Sequence, residues 1–255
     1  MYHIFVKSVN SRVFPDCWKL ADVTLIPKCK NPTVKDFRPI SLTPVVSRIF
    51  EKLVLQSVYA SILPLFGPNQ YAFKRHGSTD SALIRIHDSI TNYLEDPKVA
   101  AVRMICLDLS KAFDMVPHSV LQKRFIDSNL SRGFVIWLRS YLNNRTQRLR
   151  LGGSFGPTTF VPSGVPQGST IGPALFAAFM GTISVSSTST LVVYADDITL
   201  IEPVFGDAGT DSDSLVALHE WIAENEMCIN LKKSKQMIFY CNKSDDFALQ
   251  DIDMC

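Results

Sequence analysis

Two adjacent aspartates, Asp196 and Asp197, stand between strongly apolar runs in LVVYADDITLI, residues 191–201. Few folds accommodate neighbouring carboxylates inside a strand-like stretch. Like charges repel, and each carboxylate loses hydration unless it is paired or holds a cation. A hairpin with the pair at its tip satisfies the pattern, and such a tip usually holds a metal. An ordinary Asp-Asp turn between strands accounts for the same residues, because Asp is a common turn former. A second acidic site upstream decides between the two.

That site is Asp108, at the end of the apolar run 100–109 with Val102, Met104, Ile105 and Leu107. A strand that buries its apolar residues and ends in a carboxylate delivers that carboxylate at the sheet edge with little freedom. Alone, Asp108 would read equally as a helix N-cap. If the sheet sets this end beside the hairpin tip, Asp108, Asp196 and Asp197 converge. Three carboxylates without His or Cys form a hard-oxygen site suited to magnesium. Two such ions roughly 3.5–4 Å apart can activate a 3′-hydroxyl and stabilise a pyrophosphate leaving group.

The 255 residues allow one large domain or two small ones, and 46% hydrophobic residues provide a sizeable core. A net charge of +2 decides little, so phosphate-binding surface must come from local clustering. Lys123, Arg124, Arg132, Arg139, Arg145, Arg148 and Arg150 stand against Asp127 alone. Beside a metal site this run reads as nucleic-acid backbone contact; otherwise it is a solvated face. Cys17, Cys29, Cys106, Cys228, Cys241 and Cys255 show neither CxxC pairs nor zinc spacing, which argues for a reducing compartment. The start has no apolar signal region, and no apolar run approaches the roughly 18 residues of a membrane span. The expectation is a soluble intracellular protein, or a piece of one, without a membrane partner.

Residues 1–45 read as extended and proline-broken, with a strand at 23–26. Helical spacing predicts helices over 47–62 and 78–94, and a third helical region over 119–142 broken near Gly133. A strand and tight turn follow at 147–153, then a Gly/Pro loop at 161–172 and an apolar helix at 173–180. After the hairpin come a helix over 211–225 and a strand over 236–240. The irregular alternation points to an α+β fold, an antiparallel sheet with helices packed on one face.

The ordered blocks ICLDLSKAFDMVPH, GVPQGSTIGPALF and YADD resemble the catalytic motifs of reverse transcriptases, specifically those of non-LTR (LINE-type) retrotransposons. FPDCWKLADVTLIPK, FRPISLTPVVSRIFEKLV and INLKKSKQMIFY extend the resemblance over nearly the whole chain. It implies a right-hand polymerase with fingers over about 1–100 and palm over 101–255, fingers elements returning around 140–165. The implied activity is RNA-directed DNA synthesis from a primer 3′-hydroxyl. Implied partners are an RNA template, a DNA primer, deoxynucleoside triphosphates and the remainder of a retrotransposon polyprotein. The implied cofactor is a pair of Mg2+ ions, with Mn2+ as substitute, and the implied place of action is the nucleus.

Carried over by position, Asp108, Asp196 and Asp197 are the metal-binding aspartates, the last in a looser role, and the Leu109 carbonyl completes the set. Phe113 matches the aromatic that excludes ribonucleotides: a flat ring under the sugar leaves no room for a 2′-hydroxyl. A core phenylalanine would occupy the same position. In SGVPQGSTIG, Gln167 and Gly168 match the loop beside nucleotide and template, which otherwise reads as a flexible turn. Lys74, Arg75 and Arg38 match basic fingers positions that meet the triphosphate. Ala72 stands where the family often has Gly, and Lys74 where it often has Arg, which costs the bidentate fork. Lys233 matches a lysine placed to protonate the leaving pyrophosphate, or is a solvated strand-flanking lysine.

No segment resembling a helical thumb follows the last palm strand before Cys255. Processive synthesis by this chain alone is therefore not expected. The competing reading is a truncated, inactive retroelement remnant that at most binds nucleic acid. An RNA-dependent RNA polymerase shares the two-metal logic but would not be expected to carry a bulky gate at Phe113.

Overall fold

Short apolar runs become strands and period-3.6 runs become helices. The computed structural model describes residues 1–33, 36–205 and 212–240, and the backbone of 248–251. Asp211, Cys241 and Cys255 lie outside the described residues. In chain order the elements are α1 (Tyr2–Ser11), β1 (Leu20–Pro27), β2 (Phe37–Leu42), α2 (Val45–Ile62), α3 (Thr79–Leu94) and β3 (Ala101–Asp108). Next come α4 (Ala112–Met115), α5 (His118–Ile126), α6 (Arg132–Leu142), β4 (Thr146–Leu151), β5 (Ser154–Phe155), β6 (Thr159–Phe160) and α7 (Gly172–Met180). The last are β7 (Thr190–Tyr194), β8 (Asp197–Val204), α8 (Asp213–Glu224), β9 (Lys235–Tyr240) and β10 (Ala248–Asp251).

These elements form two compact units, each made of two stretches of chain: Met1–Leu65 with Phe113–Phe179, and Phe66–Ala112 with Met180–Cys255. Strand β3 pairs with strands that follow residue 190, and these long-range ladders override chain order.

The first unit carries a sheet in the order β2-β1-β4-β5, with β6 also on β4. Its core is aromatic: Phe5 stacks on Phe50 at 4.6 Å, and Phe14 meets Tyr141 edge-on at 4.9 Å. Offset and edge-on rings bury large area with favourable quadrupole contacts. The same core explains α1, where the sequence reads as extended. Phe5 and Ser8 face inward, and Trp137 Nε1 donates to Ser8 Oγ at 3.1 Å. Tertiary packing here overrides weak local propensity.

The break between α5 and α6 falls ahead of Gly133, because Phe134 N donates to Ser131 Oγ and caps α6 there. By length and composition alone, α2 and the turn after it, Val45–Phe66, could cross a membrane. Buried Phe50, Val54 and Ile62, with a fully buried Glu51, form the face that packs into this unit, while Val45, Ile49 and Leu53 are exposed.

The second unit carries a fully antiparallel sheet in the order β10-β9-β3-β8-β7. On one face Val102 and Ile201 are buried under α3, through Ile86, Ile90, Tyr93 and Leu94. Ser78 and Ser81 form a capping box that fixes the start of α3. On the opposite face Arg103 Nε and one terminal nitrogen donate to Glu202 Oε2, at 3.2 and 2.9 Å. Both residues are buried, and Glu202 Oε1 also accepts from Ser189 and from Ser212, the N-cap of α8.

Candidate active site

In the second unit, strand register sets two of the acidic residues opposite each other and leaves the third at the adjoining turn. Asp108 lies directly opposite Asp197 in the β3–β8 ladder. Tyr194 pairs with Asp197 across the hairpin, leaving Ala195 and Asp196 as a two-residue loop. Ala195 has φ 56°, a left-handed conformation that an L side chain rarely adopts. Side chains at opposed positions share a face, so Asp108 and Asp197 project from the same side of the sheet. Toward this end β3 is only half covered, at Met104, Cys106 and Asp108.

A short segment before β9 wraps Asp108. Its N–H donates to Ser234 Oγ at 3.1 Å, and its carbonyl accepts from Asn230 N at 2.8 Å. Asn230 Nδ2 donates to Asp108 Oδ2 at 3.0 Å, and Lys233 Nζ lies 3.7 Å from Oδ1. Leu109 bridges Ile229, but the flanking hydrogen bonds run from Ser110 N to Cys228 O and from Asn230 N to Asp108 O. Neither uses the Leu109 carbonyl. Partial burial, then the negative charges of Asp196 and Asp108, hold the Asp197 carboxyl above its ordinary pKa, with Lys233 opposing.

Among the described residues no three His, Cys, Asp or Glu side chains are gathered closely enough to hold a metal by themselves. The arrangement is an open acidic rim and not a closed cage. Magnesium takes one or two carboxylates plus substrate phosphates and keeps several waters, so an open rim of oxygen donors fits it. The neighbouring Cys106 is no competitor: burial raises its thiol pKa, and Sγ sits 4.0 Å from Thr199 Oγ1.

Lys74 and Arg75 belong to the same unit, on a loop with positive φ at Phe73 and His76. Lys74 Nζ sits 5.1 Å from the Tyr71 ring centroid, and burial lowers its pKa. Arg38, Phe113, Gln167 and Gly168 belong to the first unit. Arg38 is exposed on β2. Phe113 stacks on Phe176 at 4.1 Å. The loop holding Gln167 is pinned: its carbonyl accepts from Ser41 N at 2.8 Å, and buried Glu51 accepts from Thr170 N at 2.8 Å. Gly168 has φ 127°, and a Cβ there would lie 2.5 Å from the Ser41 carbonyl oxygen. Glycine is required by close approach as well as by conformation.

The basic run is corrected in part. Arg145 is buried with its guanidinium over the Tyr141 ring, Arg124 donates to the Leu65 carbonyl, and Arg148 pairs with Asp22 at 2.7 Å. Those arginines hold the first unit together. Lys123, Arg132, Arg139 and Arg150 are the exposed members. Gln70, Asn230 and Ser234 were not singled out from sequence. The run INLKKSK offered a signal for the last two, since short polar residues beside a lysine often close a turn.

Comparison with known proteins identifies the family. A family model described as "Reverse transcriptase (RNA-dependent DNA polymerase)" matches residues 26–248. The chain belongs to this reverse transcriptase family. It is a reverse-transcriptase domain of the non-LTR retrotransposon type. Over 249 residues it is 29% identical to the probable RNA-directed DNA polymerase from transposon X-element of Drosophila melanogaster, covering 92% of this chain and 27% of that protein. It is 26% identical over 242 residues to the Pol polyprotein of the type-1 retrotransposable element R2 of Popillia japonica, covering 86% of this chain and 32% of that protein. The domain thus spans about a quarter to a third of the curated relatives it matches. In fold it is similar to apo telomerase of Candida tropicalis, with a TM-score of 0.64 at 15% identity, covering 93% of this chain and 53% of that one. The fold is α+β, of the fingers-and-palm polymerase type.

Proposed function

We propose that this reverse-transcriptase domain is the catalytic core of an RNA-directed DNA polymerase, extending a DNA primer on an RNA template with deoxynucleoside triphosphates. The opposition of Asp108 and Asp197, with Asp196 at the adjoining turn, carries the reading. Two magnesium ions, when bound, would activate the primer 3′-hydroxyl and neutralise the departing pyrophosphate. Asp108 and Asp196 would hold them through their carboxylates, Asp197 by a looser contact and Leu109 through its carbonyl oxygen. Lys233 would hold a proton for the pyrophosphate, its ammonium lying 3.7 Å from Asp108 Oδ1. Lys74, Arg75 and Arg38 would meet the triphosphate, and Gln167 and Gly168 the nucleotide and template. Nuclear action and membership of a longer polyprotein follow from the same resemblance.

Primer extension on poly(A)–oligo(dT) with magnesium tests the proposal, with Asp196→Asn as control. Template-dependent extension is expected, and it should vanish in the variant. Extension no greater than the variant's would favour a remnant that only binds nucleic acid. Sugar discrimination has its own test. Phe113→Ala should raise ribonucleotide incorporation relative to deoxyribonucleotide by about 10-fold or more, read as a ratio of kcat/KM values. An unchanged ratio would remove Phe113 from the sugar site.

A further inference from the structure

Gln70 is buried, 1% exposed, in the block QYAF. Its Oε1 accepts from two main-chain donors, Ala72 N at 2.9 Å and Ala195 N at 3.1 Å. Only the oxygen of a carboxamide can take two N–H groups, so the network itself fixes which way the amide points. The backbone on either side is equally engaged. Val193 N donates to Asn69 O and Tyr71 N donates to Val193 O, both at 2.8 Å, a parallel bridge along the edge of β7.

The second of these donors is the informative one. In a two-residue hairpin loop the first loop residue has no ladder partner for its N–H. Ala195 is that residue, and it is held at φ 56°. Asp196 follows it in the chain, and Asp197 opposes Asp108. The other end of the amide points the same way: Gln70 Nε2 is buried with no hydrogen-bond partner. A methionine would fill similar space without burying an orphan donor. The amide is present for its oxygen.

We infer that Gln70 is a positioning residue whose side-chain carbonyl locks the Ala195–Asp196 turn and thereby sets the direction of the acidic pair. The inference rests on the reading of Asp196 as a metal ligand. Gln70 touches no reacting atom; it acts through the turn.

Three variants of the 255-residue chain test it: Gln70→Met, Gln70→Glu, which retains an acceptor, and Asp196→Asn. Amide hydrogen exchange over residues 193–197 should quicken about 10-fold in Gln70→Met, with β3 unchanged, and recover in Gln70→Glu. Mn2+ binding, followed by the electron paramagnetic resonance of the free ion, should weaken about 10-fold in Gln70→Met and more in Asp196→Asn. A purely structural role would quicken exchange across β3 as well, and would lower the bound amplitude without moving the midpoint. Unchanged exchange at 193–197 would overturn the inference. So would quickened exchange with Mn2+ affinity intact where Asp196→Asn loses it. If wild type and Asp196→Asn bind Mn2+ alike, the metal reading fails, and exchange at the turn still decides whether Gln70 holds it.

Discussion

Asp108→Asn should lower primer extension on the order of 10³-fold while leaving the domain folded. The substitution keeps shape and hydrogen-bonding reach and removes one charged oxygen donor. Two bonds that seat the residue, from its N–H to Ser234 Oγ and from Asn230 N to its carbonyl, belong to the main chain and survive. One of three neighbouring negative charges disappears, and with it part of the repulsion that raises the Asp197 pKa. The melting temperature should therefore hold or rise slightly, the usual sign of a site that sacrifices stability for activity. Extension rates and melting curves on the same preparations check both halves. Activity above a tenth of wild type would remove Asp108 from the ligand set, and a fall that tracked unfolding would make its role structural.

Arg103→Ala should cost about 3–5 kcal/mol, the penalty of leaving a buried charge without its partner. The guanidinium spans β3 to β8 and meets a carboxylate that is itself 5% exposed. Ser189 and Ser212 remain on Glu202 in the variant, but hydroxyls do not neutralise its charge. Replacing both partners together, Arg103→Met with Glu202→Leu, should recover most of the loss, because an apolar pair of similar volume carries no desolvation penalty. Denaturant unfolding of the two variants decides the matter. A loss below about 1 kcal/mol in Arg103→Ala would put the pair in the class of solvated ion pairs.

The acidic rim was legible because its parts are local signals. An apolar run ending in Asp108 and two apolar runs flanking Asp196 and Asp197 are short and continuous, and the sheet needed only to set them in register. Their supports were not legible. Gln70 and Asn230 are single polar residues with no periodicity, and Asn230 reaches Asp108 across 122 residues. Arg148 read as a phosphate contact because Asp22 is 126 residues away, beyond any local count of charge. Helix α1 was hidden for a similar reason, since the partners of Phe5 and Ser8 are Phe50 and Trp137. Boundaries fared better where a cap marked them, as Ser78 does for α3.

The interleaving of the two units has a bearing on how the chain is made. Strand β3 is among the most apolar in the molecule, yet its partners are β8 and β9, and Arg103 waits 99 residues for Glu202. At a synthesis rate of about 5–20 residues per second, β3 spends several seconds or more outside the ribosome with both edges unpaired. An unpaired apolar strand is a template for association with other chains. In a nascent chain of this kind the central strand keeps an open edge until residue 240 has emerged, and a product ending before β8 would leave both edges open.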